Sequence, residues 1–518
     1  MPHRLIFQGL RAVTRSRSSS AATASAAAAG CPFHQRQETA DVRTGIKPFE
    51  AIPTPKGLPL IGTIFDIIRT GGAAKIHEYC DMRHKELGPI FREKLGPVEC
   101  VIISGKDLIQ KVYLAEGRFP EHLVPEPWQI YNVLRGITRG LFFMDGEHWK
   151  SRRNLLNHTL MAPQEVAKHG PDFNGVITDL ISRWEGLMEQ NSGGFIPNME
   201  NELYSWSMES LGSMLFGRRL GCVTPAAETS NMHEFVHHVQ QIFTESANMS
   251  LISPKLASKW NLPVWRRFVN AADQAIAMSR FYVEERISEI EQLREGGQEV
   301  RGVLSKMLED STMDKNEIVN IVADLILAAA DTTSHATQWA LYSLAKHPEC
   351  QDKLLSEIKA AVPDGEMITE EHLSKIPYSM NVIKETLRMY PIASFLTRRL
   401  PKKIILDNYE IPAGKLFVMS QYTVGRDPIR FPEPHEFKPD RWTRTGPRSE
   451  QTAHCCMPFG IGARACIGRR VAELKMRLLL TRVVQRFHLE SANEQDVGIA
   501  LRLITTPEVP IKLNLHKR

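Results

Sequence analysis

Residues 459 to 468 read Phe459-Gly460-Ile461-Gly462-Ala463-Arg464-Ala465-Cys466-Ile467-Gly468, and they are the most informative part of the chain. The cysteine directly precedes a helical run over 469–487. A thiolate at the start of a helix is stabilised by the helix dipole and by backbone N–H groups that have no partner within the helix. Such a sulfur is a suitable ligand for iron.

The residues around Cys466 favour a haem-thiolate site. Gly462 and Gly468 let the backbone approach a flat macrocycle, Phe459 is expected to pack near the sulfur, and Arg464 is expected to reach a haem propionate. Zinc is an alternative, with the ligands His454, Cys455, Cys456 and Cys466, but the paired Cys-x2-Cys spacing of zinc sites is missing. A cysteine that only fills a core is the other alternative, and it leaves the four neighbouring residues unexplained.

The pattern Phe-x-x-Gly-x-Arg-x-Cys-x-Gly resembles the cysteine loop of the cytochrome P450 monooxygenases and matches it at every position. This resemblance implies a mainly α fold with small β-sheets, of the α+β class, in which a single domain surrounds one haem b. The catalytic domain is then expected over 53–518. Cys466 is the expected axial ligand of the haem iron, and Phe459, Gly462, Arg464 and Gly468 are expected to line the cofactor.

The first 37 residues differ from the remainder. They hold five arginines and no acidic residue, an apolar stripe over 5–13, and a Ser/Ala-rich run that ends at residue 29. This composition is typical of a mitochondrial transit peptide, with a disordered N-terminus as the alternative. Residues 38–52 are predicted to be a linker. The chain has 64 basic and 59 acidic residues, so beyond residue 37 the balance is 59 to 59 and gives no indication of nucleic-acid binding.

Hydrophobic periodicity predicts the secondary structure. Helices are expected over 74–87, through most of 146–346 with one long helix at 315–346, over 381–389, and after Cys466. Strands are expected at 90–95, 98–104, 403–406, 409–411, 415–420, 501–504 and 509–515. The eight cysteines show no regular spacing and are interpreted as reduced.

The long helix contains Ala328-Ala329-Ala330-Asp331-Thr332-Thr333. By itself an Asp-Thr-Thr sequence is most simply a solvated helix face. Beside the cysteine loop it resembles the oxygen-activation segment of the family, which implies that Asp331 delivers protons and that Thr332 supplies the assisting hydroxyl. Ala329 stands where the family usually has glycine, so the local shape of this helix is left open.

The resemblance also assigns the basic residues that the haem propionates require. Trp149 and Arg153 have the family's Trp-x-x-x-Arg spacing, and Arg398 stands at the position of the family's strand arginine, with Arg399 beside it. Glu385, Arg388 and Arg441 match the structural triad of the family. An exposed ion pair is the simpler alternative for Glu385 and Arg388, because they are three residues apart on a helix.

Mitochondrial members of the family take electrons from a small acidic ferredoxin. Lys384, Arg469 and Arg470 match the basic residues of those members, and Met380 departs from the pattern because lysine is usual there. The docking surface is therefore open to a shift toward Lys375, Lys475 and Arg477, and a scattered set of solvated bases is the alternative. Within the mitochondrial class, segments 56–59, 71–73, 83–85, 88–93 and 140–144 resemble the ecdysteroid 2-hydroxylases of the arthropod Halloween group.

The resemblance thus predicts a steroid monooxygenase on the matrix side of the mitochondrial inner membrane, which uses O₂, an adrenodoxin-like ferredoxin and its NADPH-dependent reductase. The predicted reaction is C2-hydroxylation of 2-deoxyecdysone to ecdysone. The same mechanism on another sterol, vitamin or xenobiotic is one alternative, and a haem-binding protein without turnover is another. Apolar residues within 243–265 are expected to contact the membrane peripherally.

Overall fold

The computed structural model describes residues 45–58, 62–95, 98–224, 232–249, 252–363, 365–443 and 456–518. The predicted transit peptide, residues 38–44 of the predicted linker, and His454 and Cys455 of the zinc alternative lie outside the described residues.

Helices make up most of the described chain, and the predicted mainly α fold with small sheets is confirmed. The α-helices are, in chain order, α1 Ile64–Arg69, α2 Ile76–Leu87, α3 Lys106–Leu114, α4 Glu126–Arg135, α5 Gly146–Leu160, α6 Pro163–Ala167, α7 Gly170–Gln190, α8 Met199–Phe216, α9 Met232–Asn248, α10 Pro254–Lys259, α11 Pro263–Glu295, α12 Val303–Leu308, α13 Lys315–Lys346, α14 Pro348–Ala361, α15 Glu370–Ser374, α16 Pro377–Met389, α17 Gln421–Val424 and α18 Arg469–Arg486.

Short strands form one four-stranded sheet and three two-stranded sheets within the described residues. The strands are β1 Ile90–Leu95, β2 Val98–Ile103, β3 Phe395–Arg399, β4 Ile404–Leu406, β5 Tyr409–Ile411, β6 Leu416–Ser420, β7 Phe487–Ser491, β8 Ile499–Arg502, β9 Ile504–Pro507 and β10 Leu513–Lys517. In the larger sheet, β2 pairs antiparallel with β1 and parallel with β6, and β6 pairs antiparallel with β3.

The long helix α13 runs through the main hydrophobic core and packs against α8, α11, α16 and α18. Asp314 caps its N-terminus, because the Asp314 side chain accepts a hydrogen bond from the Glu317 N–H. Near its C-terminal end Trp339 is fully buried and stacks on Tyr390, with ring centroids 4.0 Å apart. Apolar burial on several sides therefore holds the helix in place.

The C-terminal strands differ from the prediction. The sequence indicated strands at 501–504 and 509–515, whereas the structure has the hairpin β8–β9 around Leu503 and a later strand, β10. Leu503 has a φ of 66°, so it forms the turn of the hairpin rather than continuing a strand. The apolar residue that looked like part of a strand is thus a turn residue.

The apolar surface predicted over 243–265 is smaller than expected. Ile252, Leu256 and Trp260 are exposed, but Trp265 is buried in the core. In the part of the chain that the structure describes, no helix is both long and apolar enough to span a bilayer.

Candidate active site

The cysteine loop places the sulfur of Cys466 at the start of α18. The Cys466 N–H donates to the Phe459 carbonyl at 2.8 Å, which closes the loop, and Gly468 is the residue that precedes the helix. Gly462 has a φ of 77° and lies against the Glu116 carboxylate, so a side chain there would be strained and would collide. The loop therefore depends on glycine at this position for its shape.

The Cys466 side chain is exposed and yet has protein around it, as expected for a group that lines an interior space. Burial raises the pKa of the Cys466 thiol above its ordinary value, while the Gly468 N–H and the charge of Arg153 oppose that rise. The helix start and the nearby guanidinium are thus arranged to favour the thiolate. The resulting sulfur donor is suited to a positively charged metal.

Arginines from three elements gather near the cysteine loop. Arg153 on α5 donates to the Ala465 carbonyl at 2.6 Å, and Arg464 lies over the Trp149 ring at 4.0 Å. Arg398 on β3 donates to Glu116 at 2.6 Å, whereas Arg399 donates to the Gly414 carbonyl. Because successive strand residues point to opposite faces, Arg398 and not Arg399 faces the loop.

These like charges affect one another. Burial lowers the pKa of Arg464 to about 10. The nearby Asp145 carboxylate opposes this shift, whereas the positive charges of Arg398 and Arg153 add to it. His122 lies close by with both ring nitrogens buried and without hydrogen-bond partners. Burial lowers its pKa to about 4, and Arg464 and Arg398 add to that effect. Guanidinium groups gathered in this way are suited to bind an anion.

Glu116 and His122 are absent from the set predicted from sequence. Glu116 joins Arg398 to the cysteine loop, since its second oxygen accepts from the Ala463 N–H at 3.4 Å. Neither residue belongs to a motif with recognisable spacing. Their role follows only from long-range contacts: Glu116 is 282 residues from Arg398 in sequence, and His122 lies near Arg398 and Arg464.

Asp331 and Thr332 lie in the middle of α13 and differ in environment. Asp331 is almost fully buried, and its Oδ1 has no hydrogen-bond partner. Burial raises the pKa of the Asp331 carboxyl, and the charge of His335 opposes the rise. Thr332 donates to the Ala328 carbonyl at 2.9 Å, and the helix continues without interruption through Ala329.

Glu385, Arg388 and Arg441 meet in the interior. Arg388 donates two hydrogen bonds to Glu385, at 2.8 and 2.9 Å, and the Arg441 Nε donates one at 2.8 Å. The Trp442 indole and the Lys438 N–H donate to the same carboxylate at 2.9 Å each. Since Glu385 and Arg388 are fully buried, this arrangement is not the exposed ion pair considered as an alternative.

Nearly the whole described part of the chain matches one family model. The model described as Cytochrome P450 matches residues 52–515. The chain belongs to the cytochrome P450 family. Its members are monooxygenases that use haem, so this P450 is a haem-binding monooxygenase.

Curated relatives cover nearly the full length of the P450. It is 34% identical over 511 residues to Cytochrome P450 10 of Lymnaea stagnalis, covering 95% of this chain and 91% of the relative. It is 33% identical over 479 residues to mitochondrial Cytochrome P450 315a1 of Drosophila melanogaster, covering 90% and 88%. It is 32% identical over 474 residues to the mitochondrial cholesterol side-chain cleavage enzyme of Mesocricetus auratus, covering 91% and 90%.

The described residues of this P450 fit a haem. The sulfur of Cys466 supplies a thiolate, and the guanidinium groups of Arg153, Arg398 and Arg464 supply positive charge for the propionates. The neutral His122 ring could donate a hydrogen bond to a propionate oxygen. The zinc alternative has no support from the described residues, because they contain no group of three or more His, Cys, Asp or Glu side chains arranged for a metal ion.

The basic residues predicted for redox-partner docking have different environments. Lys384, Arg469 and Arg470 are exposed, on α16 and α18, which pack together. The suggested shift toward Lys475 is wrong, because Lys475 is buried and donates to the Ser207 carbonyl at 3.0 Å. Burial lowers the pKa of Lys475 to about 7. Arg477 is likewise engaged, with Ser379 at 3.0 Å.

Proposed function

We propose that this P450 is a mitochondrial steroid hydroxylase and that it converts 2-deoxyecdysone to ecdysone by hydroxylation at C2. The observation that carries the proposal is that the chain has both a cysteine loop that presents Cys466 and a buried acid, Asp331, in the middle of the long helix. Full-length similarity to mitochondrial relatives, two of which are named for sterol or cholesterol chemistry, supports the steroid substrate. The segments within 56–144 that resemble ecdysteroid 2-hydroxylases support the C2 position.

When bound, haem b supplies the iron at which dioxygen is activated. In the proposed site Cys466 is the iron ligand, and Phe459, Gly462 and Gly468 form the loop beside it. Trp149, Arg153, Arg398 and Arg464 would hold the propionates, together with His122. Asp331 would pass protons inward, and the Thr332 hydroxyl would orient the transfer.

The substrate chamber is proposed to lie between α4, α13 and the β8–β9 hairpin. Trp128 on α4 contributes an apolar wall and packs edge-on against Phe268, with ring centroids 5.4 Å apart. Leu327 on α13 is buried. Ser394 and Thr505 share a hydrogen bond of 2.8 Å and tie the hairpin to the start of β3.

Replacing Asp331 by asparagine is expected to lower steroid turnover about 100-fold, because an amide cannot release a proton at neutral pH. The KM for the steroid should change little, since Asp331 is buried within the helix bundle. Initial rates in the ferredoxin-driven assay measure both quantities. Asp352→Asn, an exposed residue on α14, is the control. Equal turnover in the wild type and Asp331→Asn would contradict the assignment.

The proposed electron donor is an adrenodoxin-like ferredoxin served by an NADPH-dependent reductase. It would dock over Lys384, Arg469 and Arg470, where exposed positive charge complements an acidic partner. The proposed organisation of the chain is a transit peptide over 1–37, a linker over 38–52 and a catalytic domain over 53–518. The mature protein would then lie on the matrix side of the inner membrane, with Ile252, Leu256 and Trp260 touching the lipid peripherally.

Lys384→Glu is expected to raise the KM for ferredoxin about tenfold, because charge reversal opposes docking of an acidic protein. The increase should shrink as salt is added, since ions screen exposed charges. Steady-state turnover at varied ferredoxin concentration provides the measurement. Lys403→Glu is the matched control, because Lys403 is an exposed lysine that directly precedes β4. An unchanged KM for Lys384→Glu would place the docking surface elsewhere.

Product identification tests the proposed reaction. The haem-loaded enzyme is reconstituted with ferredoxin, its reductase and NADPH, and 2-deoxyecdysone is compared with other sterols, a vitamin D compound and foreign compounds by mass spectrometry. Ecdysone as the main product supports the proposal. Oxidation of a different compound alone favours the same mechanism on another substrate. Absence of oxygen insertion into every compound favours a haem-binding protein without turnover.

A further inference from the structure

Asp331 is the innermost of three neighbouring ionisable side chains, with His335 and Glu200 as the other two. His335, one helical turn after Asp331, is almost fully buried, and its Nδ1 lies 2.9 Å from the Asp331 carbonyl and 3.5 Å from Asp331 Oδ1. On its other side, His335 Nε2 lies 3.6 Å from Glu200 Oε1. A single imidazole therefore lies between two carboxyl groups that come from different helices, α13 and α8.

Glu200 is the member of this group of side chains that reaches solvent. Its side chain is 31% exposed, whereas those of His335 and Asp331 are 3% and 2% exposed. Gln240 on α9 donates to Glu200 Oε1 at 2.8 Å and fixes the carboxylate beside the imidazole. The three groups thus form a graded series from the surface to the middle of α13.

The electrostatics of the cluster favour a charged imidazole. Burial lowers the pKa of His335, but the charges of Asp331 and Glu200 outweigh it and raise the pKa to about 9. The nearby His335 imidazole lowers the pKa of Glu200 against the effect of burial. The groups that face the cluster from neighbouring elements are Tyr204 and Glu200 on α8, the neutral Gln240 on α9, and Arg502 on β8.

We propose that His335 and Glu200 are positioning residues for the oxygenase reaction, in which the His335 imidazolium, anchored by Glu200, orients the Asp331 carboxyl and stabilises its ionised form. The proposal rests on the role proposed above for Asp331. Hydroxylation consumes two electrons from NADPH and two protons, while one oxygen atom enters the C–H bond and the other leaves as water. Each proton released by Asp331 leaves a carboxylate that needs a nearby positive charge, because burial alone would favour the protonated acid.

The pH dependence follows from the signs of these shifts. Below about pH 9 the imidazolium persists and supports Asp331, and above it the support is lost. Glu200→Gln removes one of the two carboxylates that hold the proton on His335, so turnover should begin to decline at a lower pH than in the wild type. His335→Gln has no imidazole to titrate, so turnover should already be low at neutral pH.

The test compares the wild type with His335→Gln, Glu200→Gln and Tyr204→Phe, as haem-loaded enzymes with ferredoxin, reductase and NADPH. Tyr204→Phe is the matched control, because the Tyr204 hydroxyl is buried beside the same carboxylates and has no hydrogen-bond partner. We expect kcat to fall about tenfold in His335→Gln at neutral pH, with the KM for the steroid unchanged. Glu200→Gln should shift the alkaline limb of the kcat profile to lower pH, and Tyr204→Phe should leave both quantities within about twofold of the wild type.

A solvent deuterium effect on kcat gives a second readout that a packing defect would not move. The effect should be larger in His335→Gln than in the wild type, because proton transfer becomes slower relative to other steps. Wild-type kcat and pH profiles in both His335→Gln and Glu200→Gln would overturn the proposal. If His335→Gln does not take up haem, the pH shift of Glu200→Gln decides the question.

Any compound that the wild-type enzyme hydroxylates serves in this comparison. If that compound is not an ecdysteroid, the proposed substrate is wrong while the variants still report on His335 and Glu200. If ecdysone is formed and the variants match the wild type, the substrate proposal stands and the positioning proposal is wrong.

Discussion

Cys466→Ser is expected to abolish steroid turnover, with a loss of at least about 1,000-fold. A serine hydroxyl does not ionise at neutral pH and is a poor donor to iron, so the strong sulfur ligand is lost. The helix start and Arg153, which favour a thiolate at this position, cannot produce an equivalent alkoxide. The carbon monoxide difference spectrum of the reduced protein and the product assay measure the two consequences.

Cys456→Ser is the matched control for Cys466→Ser. Cys456 is a partly buried thiol ten residues earlier in the same segment. We expect the control to keep the thiolate spectrum and the turnover of the wild type. A thiolate spectrum that survived in Cys466→Ser would show that another residue holds the iron.

Glu385→Ala is expected to destabilise the folded protein by about 3–5 kcal/mol. The substitution removes the acceptor of five hydrogen bonds and leaves the positive charges of Arg388 and Arg441 without their carboxylate. Arg388 is fully buried, so solvent cannot compensate. Urea unfolding of the haem-loaded protein, followed by far-ultraviolet circular dichroism, measures the change.

The triad is also expected to affect haem retention, because Arg388 holds the backbone of residues 425, 434 and 436 through its remaining hydrogen bonds. Glu349→Ala, an exposed residue on α14, serves as the control and should change stability by less than about 0.5 kcal/mol. A change below about 1 kcal/mol for Glu385→Ala would mean that the triad contributes little to stability.

Much of the fold could be predicted because its elements carry strong local patterns. The helix at 315–346 and the strand at 90–95 agree with the prediction to the residue, since helical periodicity, an N-terminal Asp cap and strand-forming residues all lie close in sequence. The prediction of one continuous strand at 501–504 was wrong, because Leu503 adopts a positive φ that its sequence does not indicate and forms the turn between β8 and β9.

The parts of the site that escaped prediction depend on distant contacts. Glu116 and His122 come together with Arg398 only after the chain has folded, and the pairing of Glu200 with His335 spans two helices. For Lys475 the error was the reverse, because the sequence suggested a surface role for a residue that the structure buries. A lysine next to the cysteine loop in sequence is most simply exposed, but α18 turns it into the core against Ser207.

The position of α18 has a consequence for electron entry. Arg469 and Arg470 are exposed in the first turn of the helix that begins directly after Gly468, and Arg469 is only three residues from Cys466. Only Ile467 and Gly468 separate Cys466 from Arg469 along the chain. A donor seated on these arginines would therefore lie against the same short peptide segment that carries the proposed iron ligand.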